Sequence, residues 1–289
     1  MSLTLAVLAQ MLTPILAQVG PFVTPGPAPA RPAPFPAERR RPAAKVQPSP
    51  PYPPSRLQAC LDDAEASPSD AIDDAEAWLT TVKGTTQVEP NQCLGAAHSR
   101  RGEWAEAEAA FLAARDAAAV SDYTRRAQLG GMAGNAALAG QAPARALTAL
   151  ELAQADAQKA DDVRLSGEIA IDRARALVAL KRDADAAKAL AEARTSAANN
   201  PLAWLLSATL SRRQGKLGEA QVQIATAATL APTDPEIGLE AGVIAVLSGR
   251  NEAARKSWQS VIAAAPTSEA AATATTYLAQ LGGPASKGS

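Results

Sequence analysis

A set of residues repeated at one fixed spacing constrains this sequence most. Four positions between 203 and 232 recur further along the chain, all at the same offset. They are Gly215, Ala220, Ile224 and Pro232, followed by Gly249, Ala254, Trp258 and Pro266. Two of the four matches involve Gly and Pro, which interrupt regular structure most strongly, so a high alanine content does not explain them. The constant offset predicts a structural unit that repeats along the chain.

Each repeat has the pattern of a helix hairpin. The apolar residues between 201 and 232 have helical spacing, and Gly215 interrupts them in the middle. Asn200 is a favourable N-cap, and Pro201 fits the first helical position because its missing N–H would have no partner there. The same type of pair returns at 234–235, one period later. The pattern therefore predicts two helices in every repeat.

The composition agrees with an all-α protein. The chain is 47% hydrophobic but only 3% aromatic, and most of its apolar residues are alanine. Alanine is the best helix former and lets helices approach closely. The 28 basic and 29 acidic residues give a net charge of -1, so the overall charge does not attract nucleic acid.

The units resemble the tetratricopeptide repeat (TPR) family. That family has small residues at unit positions 8, 20 and 27, a larger one at 24, Gly near 15 and Pro at 32. Two units supply these positions as Ala208, Ala220, Ala227, Ile224, Gly215 and Pro232, with Trp204, and as Gly242, Ala254, Val261, Trp258, Gly249 and Pro266. Earlier units supply Leu94, Gly95, His98, Gly102, Trp104, Ala107, Phe111 and Ala114, then Ala174, Leu177, Ala186, Leu190 and Ala193, with Lys181 where Gly is expected. A less regular unit with Gly140, Ala146, Leu150 and Ala153 needs one extra turn residue, and a degenerate unit at 56–82 carries Ala71, Ala75 and Trp78.

The resemblance implies an α-solenoid of about five to six TPR-like helix hairpins over residues 55–281. One hairpin cannot bury its apolar face alone, so stability comes from the interfaces between stacked neighbours. The segment 267–281 resembles a C-terminal capping helix, with Tyr277, Leu278 and Leu281 facing the last unit. Residues 282–289 are expected to form a flexible tail.

The first residues resemble a targeting segment. The apolar run in 1–17 is short for a membrane-spanning helix, which needs about 20 apolar residues, and suits the core of a signal peptide. We therefore expect a periplasmic or secreted protein. The alternative is an uncleaved membrane tether formed by residues 3–17.

Residues 18–54 form a Pro/Ala-rich linker. Proline removes backbone donors, so we expect this segment to be disordered and extended, as a spacer of about 3 Å per residue. A ligand for proline-recognition domains is the less favoured alternative. The linker is basic and 56–79 is acidic, which indicates either two solvated surfaces or a linker that folds back onto the first unit.

The two cysteines, Cys60 and Cys93, lie almost one repeat apart, at nearly equivalent points of neighbouring units. In an exported protein this pair favours a disulfide, and in a cytosolic one it favours two buried thiols.

Two cysteines and the lone His98 do not make a metal site, and we expect His98 to be a packed or hydrogen-bonded imidazole. The glycines of 129–140 lack the Lys-Ser/Thr that ends a phosphate loop, so they do not indicate a nucleotide site. We expect no metal, no cofactor and no catalytic residue.

The resemblance implies a peptide-binding groove lined by unit positions 2, 5, 9, 12 and 13 of the first helices. Its candidate residues are Glu168, Ile171, Arg175, Leu202, Leu205, Thr209, Arg212, Arg213, Leu239, Val243 and Val246. The Lys and Asn that some relatives use to hold a terminal carboxylate are replaced by Gln92 and Ala96. The alternative is that the apolar members of this set only complete the core between helices.

These patterns predict a non-catalytic scaffold that binds a protein or peptide partner in the cell envelope. The alternative is an accessory or regulatory subunit of an envelope enzyme complex. An enzyme in its own right is the least favoured interpretation.

Overall fold

A computed structural model describes residues 54–282, which form 13 α-helices and one 3-10 helix, with no strand in that range. The helices are α1 (Arg56–Ala66), α2 (Pro68–Thr81), the 3-10 helix Gly84–Gln87, α3 (Val88–Arg101), α4 (Trp104–Ala117), α5 (Tyr123–Ala139), α6 (Pro143–Lys159), α7 (Val163–Ala179), α8 (Asp183–Ser196), α9 (Pro201–Arg213), α10 (Leu217–Leu230), α11 (Pro235–Leu247), α12 (Asn251–Ala264) and α13 (Glu269–Gly282). The all-α prediction is confirmed. The targeting segment, the linker up to residue 53 and the tail after 282 lie outside the described residues.

Successive helices pair as six hairpins, from α1–α2 to α11–α12, and each hairpin packs against the next. We call α1, α3, α5, α7, α9 and α11 the first helices and their partners the second helices. The helix α13 contacts both α11 and α12, and Tyr277, Leu278 and Leu281 pack against the core of that last hairpin. The predicted solenoid and its capping helix are therefore confirmed.

Small residues on the first helices are required by large ones on the second helices. Gly95 faces the Phe111 ring, where a Cβ would lie 2.6 Å from ring atoms. A Cβ on Gly242 would collide in the same way with the indole of Trp258, which is fully buried. Positions 8 and 24 of the repeat are thus two halves of one contact, which explains why their sizes are complementary.

Five of the six hairpin turns use one left-handed residue, whereas the first hairpin turns at Ser67, with φ -144°. Gly102, Gly215 and Gly249 have φ values of 73°, 74° and 74°, whereas Lys181 has φ 60°. In the third hairpin the left-handed residue is Gln141, with φ 55°, and not Gly140, which is the glycine at this turn. Gly140 is needed for space, since a Cβ there would lie 2.8 Å from the Trp104 Cβ.

The irregular spacing of the middle units comes from longer helices. The helices α5, α6 and α7 have 17 residues each, whereas the helices of the last two hairpins have 13 or 14. The N-caps Asp122 and Asp162 start α5 and α7 by accepting backbone hydrogen bonds. The interpretation that the third unit needs an extra turn residue was therefore wrong, because the additional residues lie within the helices.

Between residues 54 and 282, no helix is long and apolar enough to cross a membrane.

Candidate interaction groove

The first helices lie on the inner side of the curved array. Neighbouring first helices contact one another at α1–α3, α5–α7 and α9–α11, and α11 contacts the capping helix α13 in the same way. Contacts of this extent do not form between second helices in the described residues. Because the first helices approach more closely than the second helices, the array curves with the first helices inside. We call the surface that they form the inner face.

This close approach decides where the predicted groove residues lie. Buried members of the set are Ile171, Leu205, Thr209, Arg212, Leu239 and Val243, and half-buried members are Glu168, Arg175, Leu202 and Val246, with Arg213 exposed. The buried residues are held between neighbouring first helices, so they form the floor of the inner face. The accessible part is narrower than expected and consists of the half-buried residues, joined by Leu247.

A buried carboxylate joins α5 to α7 on this floor. The Asn135 Nδ2 group donates to Asp172 Oδ2 at 2.9 Å, and Arg175 Nη1 donates to Asp172 Oδ1 at 3.1 Å. Burial raises the pKa of the Asp172 carboxyl, and the Arg175 charge and the Asn135 hydrogen bond oppose this shift. The contacts fix the register of the two helices, because a shift by one turn would leave a buried polar group without its partners.

A second buried pair joins α9 to α11. Arg212 Nε donates to Glu240 Oε1 at 2.7 Å, and the two side chains are 5% and 0% exposed. Arg212 was predicted to line the groove, but it lies beneath the surface and belongs to the framework of the fold. Arg213 is exposed, with its guanidinium 3.9 Å from Asp183.

The second helices carry a polar ladder of their own. Arg115 Nη2 donates to Asp156 Oδ2 at 2.7 Å between α4 and α6, and Arg145 Nε lies 3.0 Å from Glu108 Oε2. These pairs were not predicted, because charged residues of amphipathic helices are expected to be solvated. The available signal was that Glu108 lies between Ala107 and Ala110, both on the buried stripe of α4.

A cleft of about 580 Å³ opens where α2 ends and α5 begins. Trp78, Val82, Val88, Glu89 and Arg125 are among its lining residues. Arg125 Nη2 donates to Gln92 Oε1 at 2.6 Å, so the Gln92 amide already has a partner. No pattern in the sequence indicates this cleft, since its wall includes the loop between α4 and α5.

His98 is a hydrogen-bonded residue, as expected. Its Nδ1 lies 2.7 Å from Glu103 Oε2 across the turn of the second hairpin. The His98 hydrogen bond is the main cause that lowers the pKa of the half-buried Glu103 carboxyl, and Arg101 adds to it. Among residues 54–282, no group of three or more His, Cys, Asp or Glu side chains is arranged to hold a metal ion.

The two cysteine sulfurs meet between α1 and α3. The Cα atoms of Cys60 and Cys93 are 6.1 Å apart, which is a separation that a disulfide spans. Ala71 and Ala75 of α2 are fully buried beside them. The first hairpin is thereby attached to the second through a small core of alanines and sulfur.

Comparison with solved structures identifies the architecture. No protein-family model matches the sequence, and no curated protein matches it. PilW, a widely conserved type IV pilus biogenesis factor, is similar with a TM-score of 0.61 at 15% identity, over 76% of this chain and 96% of PilW. BtubC (BKLC) from P. vanneervenii has a TM-score of 0.58 at 14% identity, over 73% and 91% of the two chains. A thermophilic TPR protein of Thermus thermophilus has a TM-score of 0.52 at 15% identity, over 66% and 98%. Together with the positions of the small and large residues, these similarities show that residues 54–282 have the tetratricopeptide-repeat fold.

Proposed function

We propose that this protein is a non-catalytic scaffold that binds a protein or peptide partner on its inner face. The proposal rests on the arrangement of that face. Half-buried apolar residues such as Leu202 and Val246 lie above a floor whose register is fixed by the buried Asp172 and Arg212–Glu240 contacts. A rigid apolar surface binds a peptide with little ordering cost, because the surface is already in its bound conformation.

Apolar contacts supply the affinity in this proposal, and charges supply the register of the bound peptide. Arg213 and the half-buried Glu168 lie beside the apolar residues, at different hairpins. The structures similar to this one come from proteins of several kinds, so the partner is identified by experiment and not by likeness.

Site-specific photocrosslinking in intact cells tests the inner face. A benzophenone amino acid replaces Val246 on α11 or, as the control, the 67% exposed Val222 on the second helix α10. We expect a discrete crosslinked product from position 246 and none of the same mass from position 222. Equal products from both positions would contradict binding on the inner face.

The location in the cell envelope is part of the same proposal. The contact of Cys60 with Cys93 supports it, because a structural disulfide persists in an oxidising compartment. Thiol labelling of the full chain after rapid acid quenching measures the state of the pair. We expect both sulfurs to be blocked until a reductant is added, and two reactive thiols in the untreated protein would contradict the assignment.

The alternative function, an accessory subunit of an envelope enzyme, differs in the number of partners. Under this alternative, the crosslinks from position 246 reach one enzyme only. A scaffold instead gives crosslinks to more than one protein, and competition between those proteins would show that they share the inner face.

A further inference from the structure

Carboxylates gather on the inner face where α11 and α13 begin. Asp234, Glu236 and Glu269 lie at the starts of these helices, and Glu240 lies one turn further along α11. Asp234 is used as an N-cap, with its Oδ1 accepting from the backbone of Glu236 at 2.9 Å and of Ile237 at 3.3 Å. No salt bridge within residues 54–282 includes Glu236 or Glu269, whereas the nearby Arg212 is paired with Glu240.

Helix ends explain part of this cluster but not all of it. A negative charge at a helix N-terminus is stabilised by the exposed N–H groups, which accounts for Asp234 and Glu269. Glu240 is different, because it lies beyond the first turn and is fully buried. Its Oε1 accepts from Arg212, but its Oε2 has no hydrogen-bond partner among the described residues. One oxygen of this buried carboxylate is therefore left without a hydrogen bond.

A second unsatisfied group lies on the facing helix. Thr209 is buried on α9, one turn before Arg212, and its hydroxyl has no hydrogen-bond partner among the described residues either. The Glu240 charge also acts on Tyr277 of α13 and on Glu236, so the carboxylate lies between the three helices. The cluster therefore has a defined place, bounded by α9, α11 and α13.

The electrostatics of Glu236 agree with a missing cation. Burial raises the pKa of its half-buried carboxyl, and the charges of Asp234, Glu269 and Glu240 raise it further. Burial also raises the pKa of Tyr277, where the Glu240 charge acts in the same direction and Arg212 opposes it. The Arg212 guanidinium balances only part of this negative charge, so a further positive charge would be favourable.

We propose that the inner face between α9, α11 and α13 is a subsite for a cationic side chain, a lysine or arginine, of the bound peptide. The inference rests on the proposed function, since it names the chemistry of the peptide that the inner face holds. The ammonium or guanidinium group contacts Glu236 at the start of α11 and is attracted by the charge of Glu240 beneath it, while apolar side chains of the same peptide contact Val246 and Leu247 at the end of that helix. The partner is therefore a basic amphipathic segment. A metal ion does not fit, because no suitable group of ligands is present in the described part of the chain.

The full chain is titrated with a synthetic helical peptide of leucine and lysine, and with a matched peptide in which glutamate replaces lysine. Trp258 reports on the site, because its Nε1 donates to the Leu239 carbonyl at 3.1 Å and its ring lies 5.3 Å from the Tyr277 ring. The Trp258 indole signal, assigned with Trp258→Phe, is followed by two-dimensional NMR. We expect saturable binding of the lysine peptide at least about tenfold tighter than that of the glutamate peptide.

The variant Glu236→Gln/Glu269→Gln is expected to weaken binding of the lysine peptide by about tenfold, with a loss of melting temperature no larger than the removal of helix-end charges explains. The control is Glu106→Gln/Glu151→Gln, which removes two exposed carboxylates from second helices and leaves the affinity unchanged. A loss of affinity accompanied by a much larger fall in melting temperature than in the control would assign the carboxylates a structural role and overturn the subsite.

The subsite would also be overturned if the protein bound both peptides equally or bound neither. The same holds if both double variants weakened binding of the lysine peptide equally. These outcomes leave the proposed function intact if photocrosslinking at position 246 still gives its specific product. If that product is absent, the inner-face proposal fails by its own test.

Discussion

The middle hairpins and the last two hairpins reach the same packing by different means. In the region 201–264 the turns use Gly215 and Gly249, and equivalent residues recur at a constant offset. In the region 123–196 three of the four helices are longer and the turns use Gln141 and Lys181. A buried polar contact joins neighbouring hairpins in both regions, Asn135–Asp172 in the middle and Arg212–Glu240 in the last two. The small-to-large contact between helices therefore defines the fold, whereas turn residue and helix length vary around it.

The largest effect is expected at the buried pair of the last hairpins. Arg212→Leu leaves Glu240 buried without its cationic partner, which costs about 3–5 kcal/mol of unfolding free energy. Urea denaturation followed by circular dichroism measures the change. The control is Arg213→Leu, which removes an exposed cation 3.9 Å from Asp183 and costs less than about 1 kcal/mol. Equal losses in the two variants would show that the Arg212 pair does not hold α9 to α11.

A smaller effect tests whether the two regions share one packing rule. Ala220 and Ala146 occupy the same repeat position, and both are fully buried. Replacing either by Leu overpacks its hairpin and costs about 1–3 kcal/mol, whereas Leu at the exposed Ala225 changes little. Thermal unfolding compares the three variants. A loss at Ala220 without one at Ala146 would mean that the middle hairpins are packed in a different register.

The middle hairpins also have a pH dependence of their own. Burial raises the pKa of Asp172 above 3.8, so the folded protein keeps this proton at pH values where the unfolded chain has lost it. Stability from Asp172 is therefore present at acid pH and is lost as the pH rises through the folded pKa. We expect wild type to lose stability relative to Asp172→Asn between acid and neutral pH, measured by urea denaturation at each pH.

Asp185→Asn supplies a control of opposite sign. Hydrogen bonds from Arg182 and then Lys188 lower the pKa of this half-buried carboxyl. Wild type therefore gains stability relative to Asp185→Asn as the pH rises. If both comparisons moved in the same direction with pH, burial would not govern the ionisation of Asp172.

The sequence predicts the fold well where local and tertiary requirements coincide. Glycine at 215 and 249 satisfies a backbone conformation, and alanine at 220 and 254 satisfies a packing distance, so both leave a visible repeat. The last hairpins, the capping helix and the first degenerate hairpin are therefore predictable. The hairpin turn at Gln141 is not, because a glutamine does not by itself indicate a left-handed conformation.

The inner face is harder to predict than the fold. Transfer by repeat position places Thr209, Arg212 and Val243 on the first helices, as observed, but it does not reveal how closely the next first helix approaches. That distance decides whether a side chain lies on the surface or beneath it. Arg212 and Glu240 belong to different hairpins, so their pairing depends on the stacking of two units and has no local signal.

The smallest effect is expected from exchanging the turn residues themselves. Lys181 has φ 60°, a conformation that costs an L-residue energy and that glycine adopts without a Cβ clash. Lys181→Gly should therefore stabilise the protein by about 0.5–1 kcal/mol, after the greater freedom of glycine in the unfolded chain is subtracted. Gly215→Lys, the reverse exchange in the last hairpins, should cost a similar amount, since a side chain at Gly215 would meet nothing within 4 Å. Chemical denaturation measures both changes against Lys188→Gly, a substitution on the exposed face of α8 that costs about 1 kcal/mol. Were Lys181→Gly destabilising, the lysine side chain would contribute contacts that outweigh its backbone conformation, and the turns of the two regions would differ in more than their choice of residue.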